Sequence, residues 1–540
     1  MTADAVVIGS GPNGLVAANI LAGAGWEVTV LEAAAHPGGG VASADYLGPG
    51  YVADICSAFY PLVAASPVFR SLDLEDFGLQ WRHAPAVLAH PLPDGDAAVL
   101  SRDFEATVDD LERRNPGDGA AWRRLWALWE RAGDGVLRAL LTPFPPLRAT
   151  GQLAAALRTA GLLRLGRLVA LPVRRLAEED FAGTAAGLLL AGCAMHSDLT
   201  PEAPPSAAIG WILTMLGHQV GFPVPEGGAG ALTASLVRRL ESLGGRVMCG
   251  QRVTEVVVRG GSAVGVRTAE GADVDARRAV VADVAATELF GSLVPKAELP
   301  ATMLDDLRRF QWDNSTVKVD WALRAPVPWS SRDLGRAGTV HLADSMDDLT
   351  QYSADLAMGL VPAKPFLVMG QMRTADPTRS PPGTEVVWAY THVPQRIKGD
   401  AGREGVIGTW DPTDTDAMVS RIEQRIEQFA PGFSRLITAR HVMTPPDLEA
   451  HNRNLVGGAI NGGTSAMHQQ LMFRPTPGLG RPETPVAGLY LASSAAHPGG
   501  GVHGACGANA ARAALRGQSR GRLVSAPLLK SRERHAWSGG

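Results

Sequence analysis

The chain has 540 residues, more than one hydrophobic core normally accommodates, so two or more domains are expected. Apolar residues make up 46% and charged residues 19%, values that exclude a disordered protein. The net charge of −4 gives no indication of nucleic acid as a partner. Four scattered cysteines form no CxxC pair, so we expect neither a zinc ribbon nor any other metal site. Without a signal-peptide pattern or an apolar run of about 18 residues, the expected location is cytoplasmic.

The first forty residues predict a dinucleotide-binding βαβ unit. An apolar run, a glycine turn, an Ala-rich helical segment and a second apolar run ending on Glu32 follow one another. Within the turn, Gly9 allows the sharp bend, Gly11 lets the backbone approach a pyrophosphate, and Gly14 lets the helix pack closely. We include Asn13 of the same turn among the cofactor contacts. Glu32 is expected to accept the ribose hydroxyls.

A second glycine cluster, Pro37-Gly38-Gly39-Gly40, follows within a few residues. A nicotinamide site has no need of it, whereas a cofactor that continues past the ribose does. The sequence therefore predicts FAD.

A helix beginning near Asp118 carries Trp122, Trp126 and Trp129 on one face. We favour a core or interdomain stripe over a substrate-stacking wall. The next stretch, 138–177, has seven arginines and no acidic residue. Its apolar positions fit an amphipathic helix, namely Leu153, Leu157, Ala160, Leu162, Leu165 and Val169. It is either a lid with peripheral membrane contact or a solvated hairpin whose arginines pair with distant acids.

The middle of the chain alternates helix and strand patterns. Glu226 is a candidate cap for the helix that follows Gly228, and 247–281 reads as a β-meander. Helices are expected at 181–195, 207–218, 232–243 and 418–429. Strands are expected at 253–258, 263–268, 279–282, 316–323, 339–343, 366–371 and 385–391.

The end of the fold repeats the glycine pattern of its start. A strand at 488–492 precedes a turn with Gly499, Gly501 and Gly504, and an Ala-rich helix runs to Leu515. No strand and acid follow, so a second, NAD-binding unit is not expected. We expect this helix to point its N-terminus at the flavin ring, where the positive end of its dipole stabilises a reduced flavin.

Together these motifs resemble the phytoene-desaturase-like flavoproteins, most closely the branch called pyridine nucleotide-disulphide oxidoreductase domain-containing protein 2. The resemblance runs from Met1 to about Leu515. Its motifs are VVIGSGPNGLVAA with LE at 31–32, PGGG at 37–40, PEGGAGAL at 225–232, GGAINGG at 457–463, FRP at 473–475 and TPVAGLYLASSAAHPGGGVHGACGANAA at 484–511.

The resemblance implies an α/β fold: a glutathione-reductase-type FAD-binding domain, in which a parallel sheet carries a β-meander, and an inserted mixed α/β substrate domain. Segments 1–75, 225–300 and 455–515 would form the first domain, 76–224 and 301–454 the second, and 516–540 a mobile basic tail.

Carried onto this chain, the resemblance places the pyrophosphate at the opening glycines and the ribose at Glu32. Many relatives have a basic residue around 36–41, where this chain offers only His36, so a phosphate contact from that segment is in doubt. The remaining implied contacts are Gly39 and Gly40 with the phosphate and ribityl portion, the Val253 backbone with the adenine, and Gly500, Gly501 and Val502 with the isoalloxazine.

The expected reaction is hydride transfer from a C–C bond of a lipophilic isoprenoid-, polyene- or acyl-like substrate, with the flavin reoxidised by oxygen or a quinone. His503 and His497, in the closing turn, are candidate bases, His218 is a weaker one, and a structural role is equally open for each. An amine-oxidase-like enzyme acting on C–N bonds and a non-catalytic binding or chaperone protein are the alternatives. The oligomeric state is not indicated.

Overall fold

The structure, a computed structural model, describes residues 1–520. Its strands are β1 (Thr2–Ile8), β2 (Val28–Leu31), β3 (Ser43–Ala44), β4 (Ala53–Asp54), β5 (Trp81–Arg82), β6 (Ala86–Pro91), β7 (Ala97–Leu100), β8 (Val224–Pro225), β9 (Arg246–Met248), β10 (Val253–Arg259), β11 (Ser262–Thr268), β12 (Asp273–Ala282), β13 (Ser315–Leu323), β14 (Ala337–Leu342), β15 (Leu360–Val361), β16 (Leu367–Gln371), β17 (Glu385–Val393), β18 (Gly399–Asp400), β19 (Ile437–Met443) and β20 (Leu489–Leu491).

The α-helices are α1 (Pro12–Gly23), α2 (Pro61–Ala65), α3 (Pro67–Arg70), α4 (Phe104–Arg114), α5 (Asp118–Leu141), α6 (Leu147–Ala170), α7 (Val173–Asp180), α8 (Ala185–Ala194), α9 (Ser206–Gln219), α10 (Ala229–Ser242), α11 (Ala286–Glu288), α12 (Ala301–Leu307), α13 (Met346–Met358), α14 (Met372–Ala375), α15 (Pro412–Glu427), α16 (Pro445–His451) and α17 (Ala505–Arg520).

The first sheet has the strand order β10-β11-β12-β1-β2-β9, with β20 added to β12. Strands β12, β1, β2 and β9 run parallel, and β20 is parallel to β12. Strands β10, β11 and β12 form the antiparallel meander. The meander begins at Val253 and not at Val247, because β9 pairs with β2 instead.

Both faces of this sheet are covered, which explains why β2 is buried throughout and why β1 is buried after Thr2. Helices α1, α10 and α17 pack on one face, in a core that includes Leu15, Leu236 and Ala511. The meander and the segment 286–307 form the core on the other face. The parallel part of the sheet therefore delivers its carboxyl ends to one edge, where the glycine turns lie.

The second sheet has the order β19-β13-β17-β16-β14-β6-β7. It is antiparallel except where β14 runs parallel to β6. Strands from 86–100 thus join strands from 315–443, as expected for an inserted domain, although the exact domain boundaries stay a prediction. One face packs on α15 and the other on α5 to α9.

Most predicted strands of the second sheet are confirmed to within two residues. Helix α15 begins earlier than expected, at Pro412, because the side chain of Asp411 accepts hydrogen bonds from Thr413 and Asp414 N–H. Helix α8 spans only ten of the fifteen residues expected to be helical, 181–195. Helix α17 continues past Leu515 to Arg520, so the predicted end of this helix is five residues too early, while the predicted mobile tail at 521–540 lies outside the described residues.

Two predictions about helix faces have opposite outcomes. Trp122 and Trp129 are buried in the core, which confirms the core stripe. In α6, Arg158 adopts a left-handed conformation with φ +54° and interrupts the helix. The apolar face is shifted by this break, so Leu168 is buried while Val169 is exposed. No helix within residues 1–520 is long and apolar enough to cross a bilayer.

Candidate active site

The opening turn joins the end of β1 to the start of α1 without room for side chains. Gly9 has φ +90°. A Cβ on Gly11 would lie 2.7 Å from Oδ2 of Asp283, and one on Gly14 would lie 2.2 Å from the carbonyl oxygen of Gly9. The N-cap residue of α1 is Gly11, which has no side chain to bond the first turn of the helix. The backbone of this turn is thus open to an anionic ligand and favourable to it.

Asp283 is a residue of this site that the sequence did not single out. It follows β12, and its Oδ2 accepts a hydrogen bond from Gly14 N–H at 2.8 Å. Burial raises the pKa of this carboxyl to about 7, because desolvation outweighs the stabilising Gly14 N–H. Gly14 and Asp283 are 269 positions apart, so no local pattern could have found the contact.

Glu32 lies at the end of β2, where the ribose contact is expected. Its Oε2 accepts hydrogen bonds from the backbone N–H of Ser10 at 2.8 Å and from the Ser10 hydroxyl at 2.6 Å. The carbonyl of Glu32 accepts a hydrogen bond from the N–H of Gln251 at 2.7 Å. Gln251 lies two residues before Val253, the first residue of the meander. The structure therefore brings the start of the meander beside the acid.

The second glycine cluster lies against the first. Gly38 N–H donates to the carbonyl of Ser10 at 3.1 Å. A Cβ on Gly39 would lie 3.4 Å from Cα of Gly11, and one on Gly40 would lie 3.9 Å from Cβ of Cys56. His36, the basic residue of this segment, is exposed.

The closing turn meets the opening turn through helix contacts. A Cβ on Gly507 would lie 1.9 Å from the carbonyl oxygen of Asn13, and one on Gly504 would lie 3.1 Å from Val16. Helices α17 and α1 thus pack backbone to backbone, and their N-termini lie together. The side-chain Oδ1 of Asn13 is buried there with no hydrogen-bond partner in the described residues.

A supporting loop, defined as residues 457–464, lies behind the closing turn. A Cβ on Gly500 would lie 2.7 Å from the carbonyl oxygen of Asn461. The carboxylate of Asp313 accepts backbone N–H groups of Ile460, Asn461 and Gly463 at 2.9–3.0 Å. Burial raises the pKa of Asp313 to about 6.

Arg474 fixes the same loop from the other side. Its buried guanidinium donates to the carbonyls of Asn461, Gly462, Gly463, Thr464 and Ser494 at 2.8–3.5 Å. It has no carboxylate within ion-pair distance in the described residues, and burial lowers its pKa. This arginine is the centre of the FRP motif, whose role the spacing alone did not indicate.

The three histidine candidates all hydrogen-bond within the protein. Nδ1 of His503 accepts Ala505 N–H at 3.0 Å at the start of α17, and burial lowers its pKa to about 4. His218 lies between Trp122 Nε1 and the carbonyl of Ser101, also with a pKa lowered to about 4 by burial. Nε2 of His497 lies 2.9 Å from the carbonyl of Thr142, while its buried Nδ1 has no described partner. This geometry favours structural roles for His503 and His218, and the catalytic assignments stay untested.

Glu226 does not cap α10, so that prediction is wrong. Glu226 forms an ion pair with Arg82 at 2.9 Å. The N-terminus of α10 is instead bonded by Asp54, whose Oδ1 accepts Ala229 N–H at 2.7 Å. Asp54 can serve because a buried ion pair with Arg379, at 2.9 Å, compensates its charge.

Apolar side chains line the space beside the closing turn. A Cβ on Gly501 would lie 2.8 Å from Cδ1 of Leu62 in α2. Helix α2 packs against α9, whose Ile209, Ile212 and Leu213 form a half-buried stripe at helical spacing. Half-buried Phe59 packs against the same core. This end of the site therefore offers a surface suited to a hydrocarbon.

A buried charged pair borders the second glycine cluster. Lys318 and Asp320 on β13 form an ion pair, and the hydroxyl of Tyr46 donates to Asp320 at 3.0 Å. Cys56 lies close by, and burial raises its thiol pKa to about 11, so it stays protonated. No group of three or more residues suited to a metal ion occurs in the part of the chain that the structure describes.

The comparison with known families agrees with this geometry. The family described as flavin containing amine oxidoreductase matches residues 13–515. The chain belongs to this family. It is an FAD-dependent oxidoreductase related to the phytoene desaturases, and its cofactor is FAD. The non-catalytic alternative is thereby excluded.

Individual relatives and solved structures are similar to this chain along nearly its whole length. The mouse (Mus musculus) pyridine nucleotide-disulfide oxidoreductase domain-containing protein 2 is 29% identical, covering 95% of this chain and 93% of its own. A neurosporene-forming phytoene desaturase of Cereibacter sphaeroides is 26% identical, covering 93% and 92%. The structure of putrescine oxidase bound to putrescine superposes with a TM-score of 0.58 at 16% identity, covering 96% of this chain and all of that one, which shows a shared fold.

The described residues fit FAD on their own geometry. A side chain at Gly11, Gly14 or Gly39 would press on neighbouring protein atoms, so glycine at these positions lets the two turns adjoin with their backbone accessible to a cofactor. Buried polar atoms without described partners lie at both ends of this site, Asn13 Oδ1 near the opening turn and Asn461 Nδ2 near Gly500. Unpaired buried polar groups are uncommon in folded proteins and are satisfied by a ligand or water.

Proposed function

We propose that this protein is an FAD-dependent dehydrogenase or desaturase that takes a hydride from a C–C bond of a lipophilic, isoprenoid-, polyene- or acyl-like substrate. Gly9, Gly11, Asn13 and Gly14 would hold the pyrophosphate, and Glu32 the ribose. The remaining contacts would come from Gly39, Gly40, the Val253 backbone, Gly500, Gly501 and Val502.

The observation that carries this proposal is the apolar wall beside Gly501. Leu62 lies beside Gly501 and α2 packs against α9, so Leu62 and the half-buried stripe of α9 would present hydrocarbon to a substrate held at the closing turn. An amine substrate would need polar or aromatic groups that recognise its nitrogen. The parallel aromatic pair Trp388 and Tyr390, with centroids 6.0 Å apart, does not supply an open cage, since Trp388 is only 6% exposed.

Bound FAD supplies the hydride acceptor in this reaction. Leu62 and the α9 stripe would exclude water and orient the C–H bond. The N-terminus of α17 would favour negative charge at the ring, with His503 Nδ1 accepting one of the helix's first N–H groups. The Nδ1 of His497, which has no hydrogen-bond partner in the described residues, would hold the proton released in the reaction.

The proposal also includes reoxidation by oxygen or a quinone. The sequence contains one complete dinucleotide fingerprint, at its start, and the closing turn lacks the following strand and acid. Photoreduced enzyme is expected to be reoxidised by oxygen or a soluble quinone and not by NADP⁺. Rapid reoxidation by NADP⁺ would contradict this part.

The experiment that tests the reaction is an anaerobic screen of flavin bleaching with polyenes, acyl compounds and amines. Bleaching by a polyene or acyl compound but not by amines is expected. Leu213→Asn should slow bleaching by the active compound at unchanged flavin content, whereas Leu243→Asn, exposed and outside the described apolar wall, should not. Bleaching by amines alone would overturn the proposal in favour of C–N oxidation.

A further inference from the structure

A row of aromatic rings leads across the second sheet from the apolar wall. Alternate residues of a strand share a face, and in β17 the residues Trp388, Tyr390 and His392 lie on one face. Trp388 belongs to the core against which Phe59 and Leu62 pack, and its ring centroid lies 6.1 Å from that of Phe59. The centroids of Trp388 and Tyr390 are 6.0 Å apart, and those of Tyr390 and His392 are 5.5 Å apart. The row therefore runs from the apolar wall to His392.

His392 lies at the end of the row that adjoins the supporting loop. Its Nδ1 lies 3.1 Å from Oγ1 of Thr316 on β13. The preceding residue, Ser315, donates its hydroxyl to the carbonyl of Gly457 at 2.6 Å and pairs with Ala459, and both of these partners belong to the supporting loop. Because the supporting loop lies behind the closing turn, the histidine is at the same end of the site as that turn.

Two polar atoms of this row have no hydrogen-bond partner among the described residues. Nε2 of His392 is one of them, in a residue that is only 3% exposed. The hydroxyl of Tyr390 is the other, and this residue is half-buried. Buried polar groups are normally satisfied by protein, ligand or water. The two atoms therefore indicate a bound group that can form hydrogen bonds.

The protonation of the two residues decides which kind of group they can bind. Burial lowers the pKa of His392, so its ring is neutral near neutral pH and carries a single N–H. A hydrogen bond to the backbone of Ser315 partly offsets this shift, which requires an N–H on the ring. Since Nε2 has no partner, the N–H is on Nδ1 and Nε2 presents an acceptor lone pair. Burial raises the pKa of Tyr390, so its hydroxyl stays protonated and can donate.

An acceptor nitrogen next to a donor hydroxyl matches a group that both donates and accepts, and an alcohol hydroxyl does both. We propose that Tyr390 and His392 bind a hydroxyl group of the substrate. The substrate hydroxyl donates to Nε2 of His392 and accepts from the Tyr390 hydroxyl. This inference rests on the proposed function and narrows its substrate to a lipophilic alcohol, whose hydrocarbon part lies against the apolar wall.

Charged groups do not match this position. An ammonium group would need a carboxylate without partners, but Asp198, the acid whose charge acts on the histidine, already accepts the Thr464 hydroxyl and the Ser465 N–H. A carboxylate would need a cation without partners, but Lys318, which lies opposite the tyrosine on β13, forms an ion pair with Asp320. An uncharged hydroxyl has neither requirement.

The test measures the binding of probes of equal chain length to the oxidised, full-length holoprotein under argon. The probes are undecyl alcohol, methyl nonyl ketone, undecanoate and undecylamine. Quenching of tryptophan fluorescence reports binding, and the flavin absorbance of the same sample reports any reduction. The wild type should bind the alcohol about tenfold more tightly than the ketone, because a ketone leaves Nε2 of His392 without a donor. Both charged probes should bind more weakly than the alcohol.

Variants of the two residues locate the hydroxyl. Tyr390→Phe and His392→Phe should each weaken alcohol binding by about tenfold. His392→Phe should leave ketone binding unchanged, since a ketone takes its hydrogen bond from the tyrosine alone. Tyr490→Phe, in β20 of the first sheet, is the matched control and should bind every probe like the wild type. Tyr390→Phe keeps its ring and tests the site even where His392→Phe does not fold.

Several results would overturn the hydroxyl site. They are tighter binding of the ketone, the carboxylate or the amine than of the alcohol, alcohol binding that Tyr390→Phe does not weaken, an equal loss in Tyr490→Phe, and the absence of saturable alcohol binding. Failure of the proposed reaction gives a different result. Alcohol binding that depends on both residues, with no bleaching of the flavin by any lipophilic compound, would contradict C–C oxidation and uphold the hydroxyl site.

Discussion

The opening and closing turns have the same architecture and opposite electrostatic surroundings. Each joins a strand to a helix through glycines, and the two helices meet at Asn13 and Gly507. The opening turn lies against a buried acid, Asp283. The closing turn lies against a buried cation, since a Cβ on Gly499 would be 3.2 Å from the guanidinium carbon of Arg474.

This difference separates an adjustable end of the site from a fixed one. The pKa of Asp283, raised to about 7 by burial, lets its charge change near neutral pH. Arg474 remains protonated at any such pH although burial lowers its pKa. We therefore expect pH to act on the phosphate end and leave the charge at the ring end unchanged.

Removing the buried cation Arg474 should have the largest effect, a loss of folding stability. Arg474→Met leaves five buried carbonyls without their donor, so the free energy of unfolding should fall by about 3–5 kcal/mol. Urea denaturation measures this. Arg481→Met, on the exposed neighbour that makes one carbonyl contact, should cost below about 1 kcal/mol. Equal losses in both variants would contradict a special role for Arg474.

Placing a side chain in the opening turn should have the next largest effect, a loss of bound flavin. A side chain on Gly11 collides with Asp283, so Gly11→Val should lower the flavin bound per protein by roughly tenfold or more. Glu32→Ala should lower it less. Flavin absorbance after denaturation measures both. Gly23→Ala, at the open end of α1 with nothing within 4 Å of the added Cβ, should retain full flavin. Full occupancy in Gly11→Val would show that the cofactor is misplaced.

Neutralising Asp283 should remove the pH dependence of FAD affinity. Asp283 is protonated below about pH 7, and above it the carboxylate repels the FAD phosphates, so FAD affinity should fall about tenfold between pH 6 and 8. Asp283→Asn keeps an acceptor for Gly14 N–H and should flatten this profile. Fluorescence titration of the apoprotein measures the dissociation constant at each pH.

The same carboxyl affects folding stability with a defined sign. Its folded pKa lies above its unfolded value of about 3.8, so the apoprotein should lose stability as pH rises from about 4 to 7. Asp283→Asn should reduce that loss. An unchanged slope in the variant would place the titration on another group, for example Asp313.

The smallest effect is expected at His503. Because its Nδ1 accepts Ala505 N–H, His503→Asn should retain an acceptor and change the unfolding free energy by no more than about 1 kcal/mol. Flavin reduction should keep its pH profile. Loss of a pKa from that profile in this variant, but not in His497→Gln, would make His503 the base after all.

The two turns were predictable because their signals are local. Strand, glycine spacing, helix and Glu32 lie within forty residues, and strands such as β13 and β17 are predictable from their own short stretches of sequence. The pairing of strands is harder to predict from sequence, since nothing in the short strand β9 indicates that it joins β2 instead of the meander.

The supports behind the turns could not be predicted for the same reason. Asp283, Asp313 and Arg474 act on backbone groups that lie elsewhere in the sequence or in loops without a pattern. Nearness in sequence favours Glu226 as the cap of α10, whereas the actual partner, Asp54, is 175 positions from Ala229. Burial is what gives these charged groups their roles, and burial depends on the completed fold.

The contact between Asn13 and Gly507 has a consequence for biosynthesis. Strand β1 and the opening turn are synthesised long before α17, the helix that packs against them. A nascent chain that ends before α17 has the opening turn but lacks the helix that packs against it. We therefore expect cofactor capture to follow the synthesis of α17, and truncation anywhere before α17 should yield colourless protein.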